Sequence, residues 1–198
     1  MKSKGTKGIL IVIILAFLVV GYYSYLSNRT KETAEEVQTE SSLTPVQQVL
    51  AQDFTRNYPQ TPREVLKHYG EITKCFYSED ITDEELRALG LKALELYDEE
   101  LVAKQGNTYL DSLKSDVAAM RSSGTIVSGY KLSSSTDVEY FTKNERECAG
   151  LYCIFTLRNG TSMEATEEVF ILRKDDKQHW KILGWDLAEP GKKQVGNS

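Results

Sequence analysis

The chain has 198 residues, with 24 basic and 29 acidic side chains and a formal net charge of −5. That is room for one domain of ordinary size plus a short appendage. The acidic balance gives no footing for nucleic acid, and three cysteines are too few for a disulfide-built fold.

The first seven residues form a basic tag carrying Lys2, Lys4 and Lys7 without an Asp or Glu. Gly8 to Leu26 follows, reading GILIVIILAFLVVGYYSYL, with no charged side chain. A helix of this length spans ~28 Å, close to the ~30 Å of a bilayer's hydrocarbon core. The run therefore predicts a transmembrane signal anchor whose partner is the lipid bilayer. The basic tag holds the N-terminus in the cytoplasm and sends the rest across. Tyr22, Tyr23 and Tyr25 fall at the far interface, where amphipathic rings sit well. A cleaved signal peptide shares the basic start and apolar core. It fits less well, because Tyr22 and Tyr25 stand where small residues are needed. Residues 27–43 are polar, cannot bury a face, and read as a tether. Outside the anchor the chain is more acidic still, which predicts a soluble extracytoplasmic domain.

Residues 44–188 form that domain, and 189–198 a flexible tail. Its first half is helical. Thr44-Pro45-Val46-Gln47, Thr61-Pro62-Arg63-Glu64 and Thr82-Asp83-Glu84-Glu85 each fit the capping box. Helices are expected over 45–57, 62–76, from Thr82 to near Gly106, and over 107–121, each with one apolar stripe. From Thr125 the period changes to two. Five strands are expected: TIVSGYKL, DVEYFTKNE, LYCIFTLR, SMEATEEVFILRK and QHWKILGWDLA. Turn chemistry lies at Ser133-Ser134-Ser135, Ala149-Gly150, Asn159-Gly160 and Lys174 to Lys177. Short joints predict an antiparallel meander, hence an α+β domain with helices on one face of a sheet. On the last strand, simple alternation puts Trp180, Ile182 and Gly184 on one face. It puts Lys181, Leu183, Trp185 and Leu187 on the other, with Gly184 free to bend the strand.

Chemistry-bearing motifs are sparse. No HExxH, Walker loop, G-x-S-x-G or paired CxxC occurs. His68 and Cys75 share a helix but lie ~10.5 Å apart along it, too far to pair. The acidic runs at Glu79-Asp80 and Asp83 to Glu85 surround a helix start, Asp98 to Glu100 reads as solvated charge, and none has a calcium-loop pattern. No metal site, catalytic group or cofactor is expected. Cys148 and Cys153 in ECAGLYC would face each other if a hairpin turned through Ala149 to Tyr152. They are then either a disulfide or two small buried hydrophobes. The strand aromatics fill a core or line a pocket. Tyr130, Tyr140, Tyr152, Trp180 and Trp185 are the candidate ligand or partner residues.

Helices followed by a curved antiparallel sheet ending in Trp180-Lys181-Ile182-Leu183-Gly184-Trp185 resemble the NTF2-like (cystatin-like cone) superfamily. The whole chain also resembles uncharacterised, single-anchor membrane proteins of clostridia with one extracytoplasmic domain. The resemblance covers residues 44–188 and implies a cone closed by helices. Superfamily enzymes set an Asp/Tyr or Asp/His group in the cone, and none maps onto these residues. The expected function is a non-catalytic binding or assembly module of the cell envelope, meeting an envelope protein, a cell-wall fragment or a small ligand. The alternatives are an enzyme using a carboxylate in an aromatic cone pocket, or a structural spacer.

Overall fold

The computed structural model describes residues 43–188. The expected cytoplasmic tag, anchor, most of the tether and the tail lie outside the described residues. Among the described residues, no helix is long and apolar enough to cross a membrane.

All three capping boxes form. Thr44, Thr61 and Thr82 start helices α1 (Pro45–Leu50), α2 (Pro62–Ser78) and α3 (Asp83–Leu94). In each, the threonine side chain accepts from the N3 backbone N–H and the N3 side chain answers the cap's own N–H. The first helix is shorter than its apolar stripe predicts. The Asp53 carboxylate accepts from the N–H groups of Thr55 and Arg56, and that local turn replaces helical bonding.

The third predicted helix is two. It ends at Leu94, and Leu96–Asp98 peels away to bond the edge of the sheet. The Asp98 N–H donates to the Ile182 carbonyl and the Ile182 N–H to the Leu96 carbonyl, both at 2.8 Å. Tyr97 thereby stands beside Ile182 in a parallel bridge. Asp98 then caps α4 (Glu99–Gln105) by accepting from the Glu100 N–H. After one 3₁₀ turn, α5 (Tyr109–Ser123) ends at Gly124 in the left-handed region.

The sheet is antiparallel and open, with strands β1 (Thr125–Leu132), β2 (Glu139–Lys143), β3 (Arg146–Asn159), β4 (Ser162–Lys174) and β5 (Trp180–Leu187). Its order is β1-β3-β4-β5, with β2 also on β3. It is not the simple meander expected. The strand β3 is long enough to take two partners along one edge, β1 on Leu132↔Cys153 through Thr125↔Asn159 and β2 on Arg146 through Gly150. The triple serine therefore joins two strands running in the same direction and is not a hairpin.

The β2–β3 turn is Asn144-Glu145, both at positive φ (50° and 63°), the two-residue geometry that a right-twisted hairpin favours. Ala149 and Gly150 lie inside β3, so the expected turn there is wrong. Cys148 and Cys153 consequently sit five positions apart on one strand, ~16 Å of extended chain, on opposite faces. That distance forbids a bridge between them, and all three cysteines are free and buried. At β3–β4 the turn is also a register away from expectation. Asn159 pairs with Ser162, and Gly160 takes the first central position at φ 59°.

The core lies between the helices and the sheet face that carries Leu151, Phe155, Phe170, Leu172 and Ile182. The helix α2 packs across β1, and Gly70 is where they touch. A Cβ at Gly70 would stand 2.7 Å from the Tyr130 ring, whose hydroxyl donates to the Lys67 carbonyl.

Candidate functional site

One irregularity in β5 creates the site. Leu172 pairs with Ile182, but Ile171 pairs with Gly184, so Leu183 is an extra residue. A bulge of this kind flips the alternation beyond it. Trp185 therefore pairs with Phe170 and joins the face of Ile182, contrary to the simple alternation of the sequence. Its ring stacks on Phe170 at 5.6 Å and meets Tyr69 at 5.7 Å and Tyr97 at 5.9 Å.

The helices supply the other walls. On α2, Tyr69, Thr73 and Phe76 recur at helical spacing, and on α5 so do Tyr109, Ser112, Leu113 and Asp116. Tyr97 reaches in from the segment bonded to β5 and lies 6.0 Å from Tyr69 and 6.2 Å from Tyr109. These residues surround a cavity of about 150 Å³. Gln105, Ser112 and Asp116 give it polar edges, and Trp185, 36% exposed, stands at its opening.

Burial holds the phenols of Tyr69, Tyr97 and Tyr109 protonated far above the usual range. The Tyr97 hydroxyl interacts with both of the others. Negative charge reinforces this. Glu168, on the Phe170 side of β4, acts on Tyr69 and Tyr77, and Asp116 acts on Tyr77. Glu168 is itself pushed above its ordinary value by burial alone. Among the described residues no group of His, Cys, Asp and Glu is placed to hold a metal ion.

The expected ligand residues do not converge. Only Trp185 lines the aromatic cavity. Tyr130 locks α2 to β1, with burial raising its phenol to about 12. Tyr140, 63% exposed, meets Trp180 at 5.8 Å beyond the opposite end of β5, where the Lys174 ammonium covers the Trp180 ring. Tyr152 pairs with Val169, on the sheet face away from the helices. Tyr69 and Tyr97 fall on apolar stripes that read as plain core, and Tyr109 stands at the start of a helix whose stripe reads from Leu110. His68 lies 3.3 Å from Glu71 and edge-on to Phe54.

A second opening, about 490 Å³, runs between Asp98–Ala103 and Asp175–Lys181. Within it Arg146 bridges Glu99 and Asp176. Beneath it the Arg173 guanidinium binds Asp98 through two bonds, at 3.0 and 2.6 Å, and Glu100 at 2.8 Å. That pair pins the segment carrying Tyr97 and is structural support for the cavity.

No curated protein matches the chain. A family match runs over residues 1–185, taking in the N-terminal hydrophobic run as well as the α+β domain. The protein belongs to the family described as a domain of unknown function, DUF6715.

Proposed function

We propose that this protein is a membrane-anchored, extracytoplasmic binding module, and that its domain takes a small ligand in the Tyr69–Tyr97–Tyr109–Trp185 cavity without catalysing its conversion. The cavity is the observation that carries the reading: a hollow walled by rings, with a few polar edges, suits recognition of a small molecule. A bulge that re-aims one tryptophan into it is a feature typical of functional sites. The uncharged run Gly8–Leu26 after three lysines supports the anchor and its orientation. Helices preceding one antiparallel sheet that ends in Trp180–Leu187 support kinship with the NTF2-like cone.

Two measurements test this. The natural cysteines are buried, so Ser27→Cys gives a single accessible thiol for a membrane-impermeant maleimide. Labelling of intact cells supports the orientation, and labelling only after lysis overturns it. In a Trp180→Phe chain, Trp185 is the one remaining tryptophan and reports cavity occupancy by fluorescence. Titration with phenol, choline and N-acetylglucosamine should give a saturable response to at least one. A folded chain silent to all three contradicts the pocket.

One observation favours a second reading. Glu168 is half-buried, raised by desolvation and within electrostatic reach of the Tyr69 and Tyr77 phenols, which suits a general acid or base. On that reading Glu168→Gln abolishes turnover of the bound compound. On the binding reading it changes affinity alone.

A further inference from the structure

We infer that the ligand of this cavity is a small organic ammonium ion, bound with its positive charge against the rings of Tyr69, Tyr97, Tyr109 and Trp185. The inference rests on the pocket reading above and names the chemistry of its occupant.

The charges around the cavity are of one sign. Asp116 lines it and Glu168 lies within electrostatic reach of Tyr69, while among the described residues no Lys, Arg or His is in its walls. An anionic ligand would meet the Asp116 carboxylate among the rings, with Glu168 adding to the repulsion from within electrostatic reach. A cation meets the same groups as attraction, because an aromatic face carries negative quadrupole density.

The rest of the domain sharpens the contrast. Three other rings already carry a cation of the chain itself. Lys92 lies over Phe54 at 4.8 Å, Lys174 over Trp180 at 5.2 Å and Lys181 over Tyr58 at 4.3 Å. The largest ring cluster has no such lysine or arginine among the described residues, and it is the cluster with an open cavity.

Size limits the choice. A cavity of about 150 Å³ is in the range that admits one benzene-sized molecule. A methylated or primary ammonium head fits that space, and a long polyamine does not. The acidic surroundings also disfavour a head group carrying its own phosphate, so a free ammonium solute is preferred over a phospholipid head.

The test uses the full-length Trp180→Phe chain in non-ionic detergent, with three probes at equal ionic strength. These are choline chloride, its neutral isostere 3,3-dimethyl-1-butanol, and phosphocholine. Choline should change Trp185 fluorescence saturably and bind about tenfold more tightly than either of the others, the equivalent of ~1.4 kcal/mol. Asp116→Asn keeps the side-chain shape and should weaken choline while leaving the isostere unchanged. If the isostere binds as tightly as choline and Asp116→Asn changes neither, the cavity is an apolar pocket and the inference fails while the pocket stands. If phosphocholine equals choline, the acidic surroundings do not select and the inference fails. If no probe binds the folded chain, the pocket reading fails with it.

Discussion

The Asp98–Arg173 pair offers the sharpest test of how the cavity is held. Asp98 is 2% exposed and Arg173 6%, and two bonds join them in fork geometry. Arg173 keeps one further partner, the more exposed Glu100. Asp98→Asn retains a side chain able to cap α4 but strips the charge, leaving a buried guanidinium largely uncompensated. Breaking such a pair costs about 3–5 kcal/mol. Asp98→Ala loses the cap to the Glu100 N–H as well, for about 1 kcal/mol more. A domain of this size is stable by about 5–15 kcal/mol, so either change should lower Tm by roughly 10–20 °C. Arg173→Met should cost a similar amount by orphaning the carboxylate. The double variant Asp98→Asn with Arg173→Met leaves no buried charge, and should be more stable than either single one. Urea unfolding of the four chains gives the cycle. A cost below about 1 kcal/mol for Asp98→Asn, or strict additivity in the double variant, would refute the reasoning.

Other expected outcomes follow from the same contacts. Gly70→Ala puts a methyl 2.7 Å from the Tyr130 ring and should cost about 1–3 kcal/mol by urea unfolding, with Tyr130→Leu restoring part of the loss. The phenols of Tyr69, Tyr97 and Tyr109 are raised above their ordinary value of 10.0 in the folded chain. The folded state then holds protons that the unfolded state has released. Stability is full below about pH 10 and drains above it, by up to about 1.4 kcal/mol per pH unit for each phenol. Tyr97→Phe should make the decline shallower. Burial pushes the thiols of Cys75 and Cys153 up to about 11 and about 12 and also raises Cys148. None should react with a thiol reagent at pH 8 until the chain unfolds, when all three should.

The sequence made the starts of α1, α2 and α3 legible because a capping box is a local device: four residues carry both bonds. Strands β1 and β4 were legible for a similar reason, their alternation and turn residues lying within the segment. The failures share a cause of the opposite kind. Glu145 adopts positive φ with nothing in its chemistry to announce it, so the Ala149-Gly150 pair was the better turn signal and the wrong one. Leu96–Asp98 continues a helical stripe, and only the unsatisfied edge of β5 draws it off. The bulge at Leu183 is a property of pairing between two strands, and it decides which way Trp185 points. Tyr69 and Tyr97 have the spacing of core residues, since a helix face packs a core and lines a hollow with the same period.

The most direct test of the binding account is a ¹⁹F NMR spectrum of the full-length chain labelled with 5-fluorotryptophan. The chain has two tryptophans, and Trp180→Phe assigns their signals. Added tetramethylammonium chloride should shift the Trp185 resonance saturably and leave that of Trp180, already covered by Lys174, in place. A spectrum in which neither signal moves, or in which both drift together without saturation, would contradict a cation site in the cavity.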